Sequence, residues 1–287
     1  KLGMPDNSIP YLPTQLTPEV LTSCLREGGT LSDPSTKVRS MHMQHFGDGD
    51  GFMSNMQKLS VEYDGPQASA LPSTMIAKFP ADDFFAQFIC RFMRLLTVEA
   101  EVYQKQVLSE VGIAQPGCFF AKADEVTGHA LLLLEDLSKQ PVVCPDQTVG
   151  LTGEQAHSAV ITIARLHAKY FGRTRESGLQ HIIYATSWSH LDVAGFLQQG
   201  FKAFPAFVEQ FAAERPGFPA VTQKYWQWMD KHPVVVDAMI KRMANDERFL
   251  ETQTLCHWDF RAENMFFSSE GQGSELKYVF DLQTVKE

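Results

Sequence analysis

Apolar and polar positions along the chain fall into two regimes. Short apolar runs separated by glycine- and proline-bearing turns come first, and longer three-and-four spacings come after them. Residues 1–16 are proline-rich and aperiodic and read as an arm. Thr17, Pro18 and Glu19 make a helix start, with proline at the first helical position, and Gly28-Gly29 stops that helix. Thr36–Phe46 and Phe52–Asp64 are β-rich, parted by the glycine-dense stretch Gly47–Ser54 (G-D-G-D-G-F-M-S). Thr74–Phe79 is a further short apolar run, with Lys78 near its end. Asp82–Val111 then carries Phe85, Phe88, Ile89, Phe92, Leu95, Leu96, Tyr103 and Val107 at helical spacing, as one helix or as two joined near Thr97. Pro116–Asp124 and His129–Leu134 predict two strands about the turn Glu125–Gly128, the second running into Glu135-Asp136-Leu137.

Leu151–Phe171 has the strongest helix pattern. Thr152 and Gln155 form a capping box, and Ala156, Ala159, Val160, Ile163, Leu166, His167 and Tyr170 repeat at three and four. That stripe makes His167 a hydrogen-bonded core residue. Residues 187–247 read as several helices broken at Pro205, Pro216, Pro219 and Pro233. They are dense in aromatics (Trp188, Phe196, Phe201, Phe204, Phe207, Phe211, Tyr225, Trp226 and Trp228), most of which fit helix-packing core. Near the end, the apolar segments Met265–Phe267 and Leu276–Phe280 flank a glycine-bearing turn, Ser268–Ser274, and predict a β-hairpin.

That hairpin carries the chemistry. It returns the chain to the end it left from, so Asn264 and Asp281 should lie side by side, with Asp259 close by. Two carboxylates and an amide oxygen at one point suit Mg²⁺, a hard cation that usually shares its oxygen ligands with substrate phosphates. Asp259 is then free to act as a base. A glycine-dense turn such as Gly47–Ser54 can bring backbone N–H groups close to phosphate oxygens, although most such turns are plain hairpins, and Asp48 and Asp50 must point to solvent for it to do so. It is neither a Walker A loop nor a dinucleotide fingerprint.

Composition narrows the field. The 287 residues, 44% hydrophobic and 21% charged, suffice for one large domain or two lobes with real cores. A net charge of -9 argues against nucleic acid as the main partner, but not against a nucleotide. The longest aliphatic run, Ala130–Leu134, is too short to span a bilayer, and no signal peptide is visible. Cys24, Cys90, Cys118, Cys144 and Cys256 are odd in number and scattered, without metal-ligand spacing. Unpaired thiols in a reducing compartment follow, which makes the cytoplasm the expected location.

The order His257-x-Asp259-x-x-x-x-Asn264, then a hairpin, then Asp281, resembles the catalytic core of the protein-kinase-like fold. Trp258 between His and Asp, and Asp-Leu-Gln where protein kinases carry Asp-Phe-Gly, bring it closer to small-molecule kinases: aminoglycoside phosphotransferases, choline kinases and above all the ecdysteroid-kinase-like group. The resemblance runs from about Thr36 to Gln283. It implies an α+β, two-lobed protein-kinase-like fold. Residues 1–137 would form an arm and an ATP-binding lobe with an antiparallel sheet and a helix, and 138–287 a mainly helical lobe with the catalytic hairpin.

The resemblance also implies roles. Gly47, Gly49, Gly51 and Ser54 would cover ATP. Lys78 would hold its α- and β-phosphates, and Glu99, in Glu-x-x-x-Tyr, would orient Lys78, with Glu101 left on a solvated helix face. The backbone of Glu135, Asp136 and Leu137 would meet the adenine at the lobe boundary. Asp259 would serve as base and Arg261 would steady the moving phosphoryl group. His257 would brace the loop, with Leu166-His167-Ala168 supporting it from behind, while Glu263 is left solvated. Asn264 and Asp281 would hold Mg²⁺. The reaction implied is transfer of a phosphoryl group from ATP to a hydroxyl of a small organic molecule, with sterol, choline-like, sugar and antibiotic acceptors all open. Some aromatics of 187–247 would line an acceptor pocket, and the lack of a dense acidic cluster disfavours a polycationic acceptor.

The kinases it resembles continue with further helices beyond the metal-binding Asp, whereas this chain stops at Glu287. A truncated product or an unusually small lobe is therefore expected, and a catalytically silent nucleotide-binding pseudokinase is the rival reading.

Overall fold

The computed structural model describes residues 8–45, 54–181, 224, 235, 238–239, 241–242, 246–271 and 273–286. The chain divides into two compact units, one of residues 1–183 with 254–287 and one of 184–253. In the second unit a short helix, Glu247–Leu250, starts at Asp246, whose carboxylate accepts from the Arg248 N–H. The aromatics and prolines singled out between 187 and 247 lie outside the described residues, as do Gly47, Gly49 and Gly51.

The first unit is built on a five-stranded antiparallel sheet. Its strands are β1 (Lys37–His45), β2 (Ser54–Asp64), β3 (Thr74–Pro80), β4 (Cys118–Ala123) and β5 (Ala130–Glu135), in the order β1-β2-β3-β5-β4. Side chains alternate across a strand, so the register assigns the faces. Leu59, Val61, Met75, Ala77, Phe79, Leu131 and Leu133 point to one side, into a core closed by Leu21, Cys24 and Leu25 of helix α1 (Pro18–Glu27). Met56, Lys78 and Leu132 sit opposite one another on the other side. Burying each such leucine is worth about 1.5–3 kcal/mol, so α1 firmly covers one face and leaves the other for a ligand.

α1 begins where the sequence places it, with Thr17 Oγ1 accepting from the Val20 N–H. It ends at Gly28 because the chain passes too close to β4 for a side chain: a Cβ there would lie 1.8 Å from the Phe119 carbonyl oxygen. The long helical stretch after β3 is two helices, α2 (Phe84–Phe92) and α3 (Leu95–Lys105), broken at Arg94, whose φ of 54° is left-handed. Phe84, Phe85, Phe88 and Phe92 are exposed on α2, so apolar spacing there does not mark a buried face.

Strand β6 (Val142–Val143) pairs with the hairpin strands β7 (Met265–Ser268) and β8 (Leu276–Val279) in a second, three-stranded sheet. Behind it lies α4 (Gly153–Tyr170), whose capping box forms as expected from Thr152 and Gln155. Its buried stripe is narrower than the spacing predicts. Ala159, Leu166 and Tyr170 are buried, whereas Val160 is exposed and His167 is half-buried. The His167 carbonyl, rather than its ring, supports the segment leading to His257, accepting from Thr254 Oγ1 at 2.7 Å. Among the described residues no helix is long and apolar enough to cross a membrane.

Candidate active site

The site forms where β3, α3 and the hairpin meet. Lys78 projects from β3 away from the α1-covered core, and its side chain is nearly fully buried. Its Nζ lies 2.7 Å from Glu99 Oε2 of α3 and donates to Asp281 Oδ1 at 2.8 Å. Burial opposes the charge on Lys78, but the carboxylates of Asp281 and Glu99 outweigh it and hold its pKa above that of an ordinary lysine. Burial and the nearby charge of Asp281 raise Glu99 in spite of Lys78, while Asp281 is held low by Lys78 against its own burial. Two carboxylates around one ammonium leave a buried excess of negative charge, apt for a cation.

The hairpin joins the two ends of the motif. Met265 pairs with Val279, and the Phe280 N–H donates to the Asn264 carbonyl at 3.1 Å, so Asn264 lies beside the residue that precedes Asp281. Asn264 Nδ2 donates to both the carbonyl and Oδ2 of Asp259, at 2.9 and 3.0 Å. With that nitrogen engaged, Oδ1 is the atom Asn264 has to offer. Asp281 has a left-handed φ of 57°, and its Oδ2 accepts from Gln283 Nε2 at 3.2 Å.

The loop before Asn264 is tightly wound. The Asp259 N–H donates to the His257 carbonyl and the Arg261 N–H to the Asp259 carbonyl, two consecutive three-residue turns. Trp258, at the centre of the first, has φ 62°, a conformation costing an L residue on the order of 1–3 kcal/mol. His257 is buried and its pKa lowered by that burial, so the ring is neutral near pH 7. Nε2 is its donor, because the partner at 2.9 Å is the Phe280 carbonyl, which can only accept. Thr284 Oγ1 donates to the His257 carbonyl, and Cys256 and Lys286 exchange two backbone bonds. His257 therefore ties the loop to the segment around Asp281.

Arg261 Nε lies 3.2 Å from Asp259 Oδ1 and its Nη1 3.0 Å from Glu263 Oε2. Glu263, expected to be merely solvated, is thus paired although half-exposed. Ser54 opens β2 opposite Pro80. Glu135 Oε2 accepts from the Gly117 N–H, and the buried Asp136 lies 2.9 Å from Lys58 Nζ, while Leu137 is buried at the start of a 3-10 turn. Burial raises the Asp136 pKa, but bonds from Ser138 and Lys58 outweigh it and bring it to about 2.

Glu101 corrects the expectation of a solvated face. It is buried, and its two oxygens accept the backbone N–H groups of Gln180 and His181 at 2.7 and 2.9 Å. Spacing did put it on a different face from Glu99, but nothing local marks the partners, which lie far along the chain. The Trp258 backbone and the Lys58–Asp136 pair also escape sequence reasoning.

The family model for ecdysteroid kinase-like proteins matches residues 48–286, most of the chain. The chain belongs to the ecdysteroid kinase-like family. Every motif residue described above from Ser54 to Asp281 falls inside the matched span. Comparison with curated proteins gives no match. Among solved structures, one similar chain is a Ralstonia eutropha protein described as an aminoglycoside phosphotransferase, at 15% identity and TM-score 0.45, covering 93% of this chain and 65% of that one. A second is the GDP complex of wild-type aminoglycoside 2'-phosphotransferase-IIIa, at 12% identity and TM-score 0.45, covering 94% and 74%. The chain thus spans about two thirds of the first of these proteins.

The donor set fits Mg²⁺. Asp281, Asn264 Oδ1 and Asp259 offer oxygen atoms alone, the hard ligands Mg²⁺ takes. Among the described residues no three His, Cys, Asp or Glu side chains are grouped to hold a metal by themselves, in keeping with an ion that shares its shell with phosphates.

Proposed function

We propose that this protein is an ATP- and Mg²⁺-dependent phosphotransferase that acts on a hydroxyl of a small organic molecule. The observation that carries the reading is the buried contact of Lys78 with both Glu99 and Asp281, beside a hairpin that returns Asp281 toward Asn264 and Asp259. Family membership is consistent with it.

Phosphoryl transfer asks the protein mainly for positioning and charge neutralisation. Lys78, oriented by Glu99, holds phosphate oxygens in the cleft beneath β3. Asn264 and Asp281 hold Mg²⁺, which supplies positive charge to the phosphates when bound. Asp259 orients the acceptor hydroxyl and takes its proton, with Asn264 Nδ2 fixing the carboxylate. Arg261, already paired to Asp259, is near enough to turn toward the transferred group. His257 stays neutral and braces the loop. The backbone of Glu135–Leu137 meets the base at a lobe boundary near Leu137, the glycines of Gly47–Ser54 cover the phosphates, and the protein works in the cytoplasm.

The test is thermal stabilisation by ATP with and without Mg²⁺, followed by ADP formation over a panel of alcohols. A Mg²⁺-dependent shift together with turnover is expected. A shift without turnover on any acceptor would leave a catalytically silent nucleotide-binding protein, and no shift at all would end the nucleotide reading.

A further inference from the structure

Trp258 is an unusual residue for its place. It occupies a left-handed backbone position (φ 62°) between His257 and Asp259, where glycine would close the same turn without strain. Burial does not compensate, since 53% of the residue is exposed. The ring is nonetheless held in a fixed pose. Lys286 Nζ lies over it, 5.3 Å from the centroid, and Lys286 is itself anchored by two backbone bonds to Cys256. A strained, solvent-facing indole is therefore pinned next to the candidate base, on the side of the segment beyond Asp281. Backbone strain kept where no core packing offsets it marks a position selected for contact with something else.

We propose that Trp258 is a specificity-determining contact for the acceptor. Its exposed ring surface takes an uncharged apolar ring of the alcohol whose hydroxyl Asp259 receives. The fixed Lys286 ammonium sets the charge preference: a cationic acceptor would be brought up against a positive charge, and a neutral ring system would not. This rests on the phosphoryl-transfer reading of the Asp259 site and adds to it a residue and a class of acceptor.

The experiment compares wild type, Trp258→Gly and Trp258→Phe with 2-naphthalenemethanol and choline as probes, following ADP formation and, separately, saturation-transfer NMR of 2-naphthalenemethanol without ATP. Wild type should prefer the neutral aromatic alcohol. Trp258→Gly should raise its KM roughly tenfold to a hundredfold, a range typical of lost apolar contact, and Trp258→Phe should recover most of that. The Mg²⁺–ATP thermal shift should survive in both variants, and Trp258→Gly should not lower Tm, because glycine relieves the turn. An unchanged KM in Trp258→Gly overturns the proposal, as does a wild-type preference for choline. If wild type turns over neither probe while the ATP shift persists, phosphoryl transfer to such alcohols fails by itself, and Trp258 is judged by NMR alone. A naphthyl signal present in wild type and lost in Trp258→Gly then supports the contact. Equal signals, or none in wild type, reject it.

Discussion

Lys78 Nζ and Asp281 Oδ1 are 2.8 Å apart although 203 positions separate them in sequence, and Glu99 closes the group from α3. Removing the ammonium leaves two buried carboxylates facing each other, a change that typically costs 3–5 kcal/mol. In wild type, Asp281 is held below the usual carboxylate range, so its share of stability is present above about pH 4 and is lost as pH falls through its folded pKa. In Lys78→Met, burial and mutual repulsion raise both carboxylates, and the sign reverses: protonation relieves the group. The variant should lose Tm at pH 7.5 and regain part of it at pH 5.5, in a scan where wild type gains nothing over that interval from Asp281. A Lys78→Met protein as stable as wild type at pH 7.5 would show that the contact is not an energetic centre.

Asp259→Asn tests the chemistry separately from binding. The amide preserves shape and should still accept from Asn264, while proton acceptance is lost. A positioned base contributes about 10²–10⁴ in rate, so kcat should drop by about a thousandfold with the ATP thermal shift retained. Turnover near that of wild type would remove Asp259 from the mechanism.

Glu101→Gln addresses the buried carboxylate that binds the N–H groups of Gln180 and His181. Bonds to a charged acceptor are worth about 1.5–3 kcal/mol each, and a glutamine offers one oxygen where two are used. Amide exchange at 180–181 should quicken and Tm should fall. Unaltered protection at both amides would mean that these bonds contribute little.

Two neighbouring glycines make a paired test of packing. A methyl at Gly28 would collide with the Phe119 carbonyl, whereas one at Gly29 meets nothing within 4 Å and faces only the strain of φ +79°. Gly29→Ala should cost about 1 kcal/mol, and Gly28→Ala clearly more, because backbone atoms of β4 must move. Denaturant midpoints that fall in the opposite order would contradict the close approach of α1 to β4.

Much of the frame was legible because its signals are local. Thr17 and Pro18 start α1, Thr152 and Gln155 cap α4, and the turn between Met265 and Leu276 makes a hairpin, each through contacts within a few residues. The features that stayed hidden depend on distant partners. The exposed phenylalanines of α2, the exposed Val160 and the buried Glu101 are placed by the elements that pack against each helix, and spacing within a helix carries no record of that.

Residue order alone was enough for the family, the α+β succession of elements and the identity of the polar residues that could do chemistry, since motif spacing and hydrophobic period are written in the chain. Folding in three dimensions was needed to bring Lys78, Glu99 and Asp281 to one buried point, to turn Asn264 Nδ2 toward Asp259, and to leave Trp258 with a strained backbone in solvent. The physical reason is that charge pairing and strain depend on distances between segments far apart in sequence, which the register of β3, the seat of α3 and the return of the hairpin set together.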